Sequence, residues 1–231
     1  MARSLPPAEA RAACRLAAAS VVSLPKGVFW PHEHFLDESG TLGMLLLDGL
    51  LLRGLAVTDR PTVEVLGPGD VFLPFDLERD PDASVSGEVR WWALRPARTA
   101  VLDASFTRRM SGYPEVIAEL AGRLSRRSAV SSLRLAIAQE PQLSVRLHWT
   151  LWQLAERFGE VQAEGMWLRA PLCHSLLSWL VGARRPAMSR AINELERSGR
   201  LARCPDGTWW LGRQRPEGLG ELALPAQPVA A

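Results

Sequence analysis

The thirty residues from Leu172 to Leu201 constrain the fold more than any other stretch of the chain. Leu172, Leu176, Leu177 and Leu180 repeat at helical spacing, and after a break at Gly182 so do Met188, Ala191, Ile192 and Leu195. Apolar residues three and four apart line one side of a helix, so each segment has a single face to bury. Gly182 can take the left-handed conformation that ends a helix, and Pro186 suits a first helical turn because it has no N–H to leave unpaired. The stretch therefore predicts two short helices joined by a tight turn.

Residues Ala202 to Leu211 continue as two strand-like runs around Pro205–Asp206–Gly207, a turn sequence. A helical hairpin with solvated arginines would account for the helices alone; a β-hairpin after them makes the unit a winged helix-turn-helix. In such a unit Arg184, Arg185, Ser189 and Arg190 fall where the second helix meets base edges and phosphates.

Charge follows the same division. Residues 1–112 carry 12 Lys and Arg against 14 Asp and Glu, whereas residues 140–215 carry 11 against 7. The positive excess lies where the helix-turn-helix does, as a duplex-binding module requires. No apolar run approaches the roughly 20 residues that span a bilayer. The Ala-rich start, Met1 to Ala19, is broken by Pro6, Pro7 and Glu9 and lacks a compact apolar core, so a cytoplasmic protein is expected. Cys14, Cys173 and Cys204 are isolated, which argues against a disulfide framework or a metal cluster. No Ser-His-Asp, Walker or paired-carboxylate arrangement suggests an enzyme.

From Ser20 to Ala104, eight short apolar runs separated by turn residues suit a two-sheet jelly roll, with Asp48–Gly49 as a hairpin turn. From Tyr113 to Gln139 the period becomes helical, and Pro141 ends the segment. A helix of this length exceeds what a small β domain needs, so Val116, Ile117, Leu120, Leu124 and Ser131 are expected at a dimer seam, the alternative being a helix packed within one chain. A further helix, Leu143 to Phe158, closes at Gly159. The expected α+β organisation is a β-roll over 1–112, a dimerisation helix over 113–139, a winged helix-turn-helix over 140–215 and a tail over 216–231.

This order resembles the cyclic-AMP receptor / fumarate-nitrate regulator (Crp/Fnr) superfamily of bacterial transcription regulators. The phrases that carry the resemblance are Leu24–Pro25–Lys26–Gly27–Val28–Phe29, Leu45–Leu46–Leu47–Asp48–Gly49, Leu66–Gly67–Pro68–Gly69–Asp70–Val71–Phe72, and, in the last third, Val181–Gly182–Ala183–Arg184–Arg185 with Ser189–Arg190–Ala191. It implies a homodimer on double-stranded DNA with a palindromic operator, with Arg185 and Arg190 reading bases and Ser189 touching a base or phosphate. His174 and Ser175 are placed to reach phosphate. Pro186 stands where many relatives hold a glutamate, and Cys173 where they hold a threonine or serine N-cap. The loop Gly159–Gly165 is, by position, a candidate RNA polymerase contact; activation and repression stay open, and no membrane is implied.

In nucleotide-binding members the roll supplies a Gly-Glu-Leu phrase and an Arg-Ser pair. Here Val71–Phe72–Leu73–Pro74–Phe75 follows Asp70 and the next segment is acidic, so no cyclic nucleotide and no other cofactor is expected there. Ser131 and Ser132 fall where the long helix of those relatives meets the base. A rival reading takes His32, His34 and Glu38 as a cupin-like metal or haem site, serving a sensor or an enzyme. The second histidine phrase that a cupin needs is missing, since Val71 and Phe72 stand there, so no metal is expected.

Overall fold

In a computed structural model, residues 6–31, 40–73 and 87–216 are described. The order is α1 (Pro7–Leu16), β1 (Ser20–Leu24), β2 (Gly27–Phe29), β3 (Gly43–Ala56), β4 (Thr62–Leu66), β5 (Val71–Phe72), β6 (Glu88–Leu102), α2 (Ala104–Met110), α3 (Pro114–Ala138), α4 (Leu143–Phe158), β7 (Gly159–Gln162), β8 (Gly165–Leu168), α5 (His174–Val181), α6 (Arg185–Arg197), β9 (Leu201–Arg203) and β10 (Trp209–Gly212). Two antiparallel sheets result. The first runs β1-β6-β3-β4, with β2 also on β6 and β5 on β3; the second runs β7-β8-β10-β9.

The Asp48–Gly49 expectation is corrected. No hairpin forms there; β3 continues through both residues, and its register against β6 shifts between Leu46 and Leu51. Gly49 has φ +96°, its N–H donates to Asp48 Oδ1 at 2.8 Å, and a Cβ there would stand 2.5 Å from that of Ala97. A glycine at positive φ can make a bulge as well as a turn, and here the sheet pairing claims it. The irregularity switches the alternation of side chains. Met44 and Leu46 enter the inner core before it, Leu51 after it, while Leu50 and Leu52 face outward.

The inner core packs Leu24, Phe29, Leu66, Phe72, Trp91 and Val101 between strands. Trp91 is 2% exposed and its ring centroid lies 4.9 Å from that of Phe72. A second cluster joins Leu45, Val71 and Leu102 of the sheet to Phe106, Met110, Val116 and Leu120 of α2 and α3. A third sets Leu50, Leu52, Val63 and Val65 against α4, α5 and α6.

Helix α3 needs the second correction. Val116 and Leu120 are 2% and 0% exposed, buried against the chain's own sheet, with Ile117 and Leu124 half-buried beside them. All four were expected at a dimer seam; Val116 and Leu120 are instead covered by the chain's own core, while Ile117 and Leu124 keep part of their surface exposed. The same helical face continues as arginines. Arg123 donates to the Gly69 carbonyl at 2.8 Å, Arg127 makes a two-pronged pair with Glu64 at 2.9 Å, and Arg134 donates to the Val63 carbonyl. Burial alone would raise the Glu64 carboxyl, but the hydrogen bond and charge of Arg127, with Arg134 and Arg53, hold it below its ordinary range. The opposite side of α3 exposes Ala118, Ala121, Ser125, Ser128, Ser132 and Leu135.

Candidate nucleic-acid interface

The two short helices expected from the sequence form as α5 and α6, and the β9–β10 pair follows them. Leu177, Leu180 and Val181 of α5 and Met188, Ala191, Ile192 and Leu195 of α6 share one core with Leu147, Leu151 and Leu154 of α4. Gly182 ends α5 at φ +67°, and its N–H and that of Ala183 both donate to the Ser178 carbonyl. This turn closes the helix end without a side chain and aims the chain into α6. Cys173 caps α5 without a side-chain hydrogen bond, as its thiol at a serine or threonine position leads one to expect.

Arg184, Arg185 and Arg190 are exposed on the first half of α6, and Ser189 is half-buried between them. His174 and Ser175, at the start of α5, are also half-buried. The two helices meet at His174, whose Nδ1 lies 3.3 Å from Ser189 Oγ. Ser189 is also 3.4 Å from the Arg185 carbonyl, so its hydroxyl is oriented by both neighbours. Beneath them Trp209 is fully buried, donates from Nε1 to the Leu172 carbonyl at 2.9 Å, and lies 6.4 Å from the His174 ring. The far end of α6 is pinned as well, because Ser144 Oγ donates to Glu194 Oε1 at 2.9 Å. A helix held by α4 and α5 presents its exposed arginines from a fixed backbone, and their guanidinium forks suit phosphates and guanine edges.

The sequence reading did not single out Trp209, Ser144, Glu194 or Arg203. Arg203 is exposed on β9, with its guanidinium 6.0 Å from the Trp209 ring. Strand alternation gave no signal for it, because Leu201 and Arg203, two residues apart, share a face of β9 while only Leu201 is buried. Of the expected seam residues, Ser131 is exposed and lines a cleft of about 310 Å³ with Arg53, Arg134 and Val181. His32, His34 and Glu38 lie outside the described residues, as does most of the acidic segment after Asp70. No helix among the described residues is long and apolar enough to cross a membrane.

No family model and no curated protein matches the sequence. The fold, in contrast, is that of solved CRP/FNR-family transcription regulators, the family the sequence phrases resemble. A transcriptional regulator of that family from Thermus thermophilus is 22% identical, with a TM-score of 0.60, covering 83% of this chain and 93% of its own. FixK2 from Bradyrhizobium japonicum is 16% identical, with a TM-score of 0.63 and coverages of 86% and 94%. CLP of Xanthomonas campestris, described as a c-di-GMP-responsive global regulator, is 20% identical, with a TM-score of 0.61 and coverages of 88% and 100%. At these identities the likeness is one of fold.

Proposed function

We propose that the chain is a homodimeric, sequence-specific DNA-binding transcription regulator of the Crp/Fnr type, in which a jelly-roll domain, a long helix and a winged helix-turn-helix follow one another. The observation that carries this reading is the trio Arg184, Arg185 and Arg190, exposed at the start of a helix tied to α5 through His174 and Ser189 and to α4 through Ser144 and Glu194. Arginine forks match guanine O6 and N7, while His174, Ser175 and Ser189 are placed for phosphate or base contacts. Two such helices related by a two-fold axis read half-sites roughly 34 Å apart, hence a palindromic operator.

The seam of this dimer runs along the exposed side of α3, through Ala118, Ala121, Ser125, Ser128, Ser132 and Leu135. Their alternating spacing of three and four is that of a two-helix contact, and small side chains let two backbones approach closely. The cupin-like alternative rests on His32, His34 and Glu38, outside the described residues, and the solved structures of like fold do not favour it. The test is a titration on a duplex selected from a random pool: Arg185→Ala and Arg190→Ala should each weaken specific binding by about 1–3 kcal/mol. Wild-type affinity in both variants would refute the assignment.

A further inference from the structure

We propose that the cleft beside the β4–β5 turn binds a small multivalent oxyanion, a phosphorylated or polycarboxylate compound. The cleft is about 470 Å³ and brings Gly69 and Asp70 of the turn together with Arg123, Arg126 and Arg127 of α3 and Arg157 of α4. Four guanidinium groups thus line a space to which the described residues contribute one carboxylate.

The contacts already made orient these cations more than they neutralise them. Arg127 is engaged with Glu64. Asp70 holds Arg157 through both its oxygens at 2.8 Å. Arg123 is held by the Gly69 carbonyl and by Glu119, 3.1 Å away. That same Glu119 is the carboxylate near Arg126, at 3.6 Å, and the Arg126 side chain is 65% exposed. Among the described residues three carboxylates serve these four arginines, and Arg126 is the most exposed of the four.

Each planar guanidinium carries five donors in a fork that fits carboxylate or phosphate oxygens. Forks fixed beforehand lose less freedom when a ligand arrives. Gly69 contributes to the same construction. Its φ is +93°, a conformation that glycine adopts without strain, and a Cβ there would stand 2.8 Å from Arg123 Nη1, so a side chain would push the guanidinium aside. The positive field reaches further along α3. Burial holds the Arg134 guanidinium below its usual range; Glu64 pulls it back up, and the charge of Arg157 pushes it down. A multivalent anion can bridge groups from the turn, α3 and α4 together, which a monovalent ion cannot.

The experiment is calorimetric titration of the purified full chain with pyrophosphate and, separately, with citrate, against a chloride control. Saturable binding of one anion per chain is expected, reduced about tenfold in Arg126→Ala and further in Arg126→Glu, with the melting temperature of the ligand-free variants unchanged. Binding of pyrophosphate alone identifies a phosphorylated ligand and binding of citrate alone a polycarboxylate. No saturable heat from either at millimolar concentration, or wild-type affinity in both variants, overturns the proposal. Binding is read without DNA, so failure of the regulator reading would leave this result intact.

Discussion

Asp70 and Arg157 join the turn between β4 and β5 to the last turn of α4: Arg157 Nη2 lies 2.8 Å from both carboxylate oxygens of Asp70. Asp70 also accepts from the Gly67 N–H at 2.8 Å, and the Arg157 guanidinium stacks 4.6 Å from the centre of the Phe158 ring. Their side chains are 16% and 22% exposed, so solvent screens the pair only in part. Asp70→Asn and Arg157→Ala should each lower stability by about 1–3 kcal/mol in urea unfolding. The double variant should lose less than the sum of the two, because either change alone already breaks the shared contact. Strict additivity would mean the pair is not coupled.

The two glycines highlighted by the sequence separate strain from crowding. A Cβ at Gly182 meets nothing within 4 Å, so Gly182→Ala should cost only the left-handed penalty, about 1 kcal/mol. At Gly49 the same penalty is joined by contacts of 2.5 Å to Ala97 Cβ and 2.7 Å to the Pro96 carbonyl. Gly49→Ala should therefore be the more destabilising by at least about 1 kcal/mol. Equal melting temperatures for the two variants would contradict this.

Much of the C-terminal third was legible because a helix that buries one face repeats its apolar residues. Leu177, Leu180, Met188, Ile192 and Leu195 carried the pattern, and each lies in the core. The exposed arginines of α6 followed as the remainder of that pattern. Elsewhere, local signals were ambiguous. Asp48–Gly49 suits a hairpin and a bulge equally, and only the long partner strand β6 decides between them. In α3 periodicity marked Val116 and Leu120 as buried, but could not say whether a partner or the chain's own sheet covers them. The Asp70–Arg157 and Ser144–Glu194 contacts join residues 87 and 50 positions apart, which no local pattern encodes.

The seam proposed on α3 can be tested separately from the core beneath it. Ser128→Glu places a charge on the exposed stripe and should shift sedimentation toward monomer while leaving the monomer folded. Leu120→Ala empties a fully buried site and should cost about 2–5 kcal/mol of stability. If Ser128→Glu remains as fully dimeric as wild type, the exposed stripe is not the seam.

Acid stability should depend on His148. The residue is 1% exposed, and burial, with the charge of Arg200, lowers its pKa from 6.5 to about 4. Between these values the unfolded chain binds a proton that the folded one refuses, so stability rises with pH across the window and is lost as pH falls from 6.5 toward 4. The loss attributable to this residue is up to roughly 3 kcal/mol. His148→Gln should flatten that part of the curve. Glu64, held below the ordinary carboxylate range, adds a further loss as pH falls below 4.5 toward its lowered folded-state value. An unchanged profile in His148→Gln would assign the acid sensitivity to other groups.

Leu50, Leu52, Val63 and Val65 touch the same core as Trp209 and the three helices around it. A fragment cut after α3 would leave that half of the β-sheet greasy and wet, and the excised C-terminal piece would carry the matching bare patch. Cutting the chain there should therefore give aggregating halves, and heating the intact protein should melt both together.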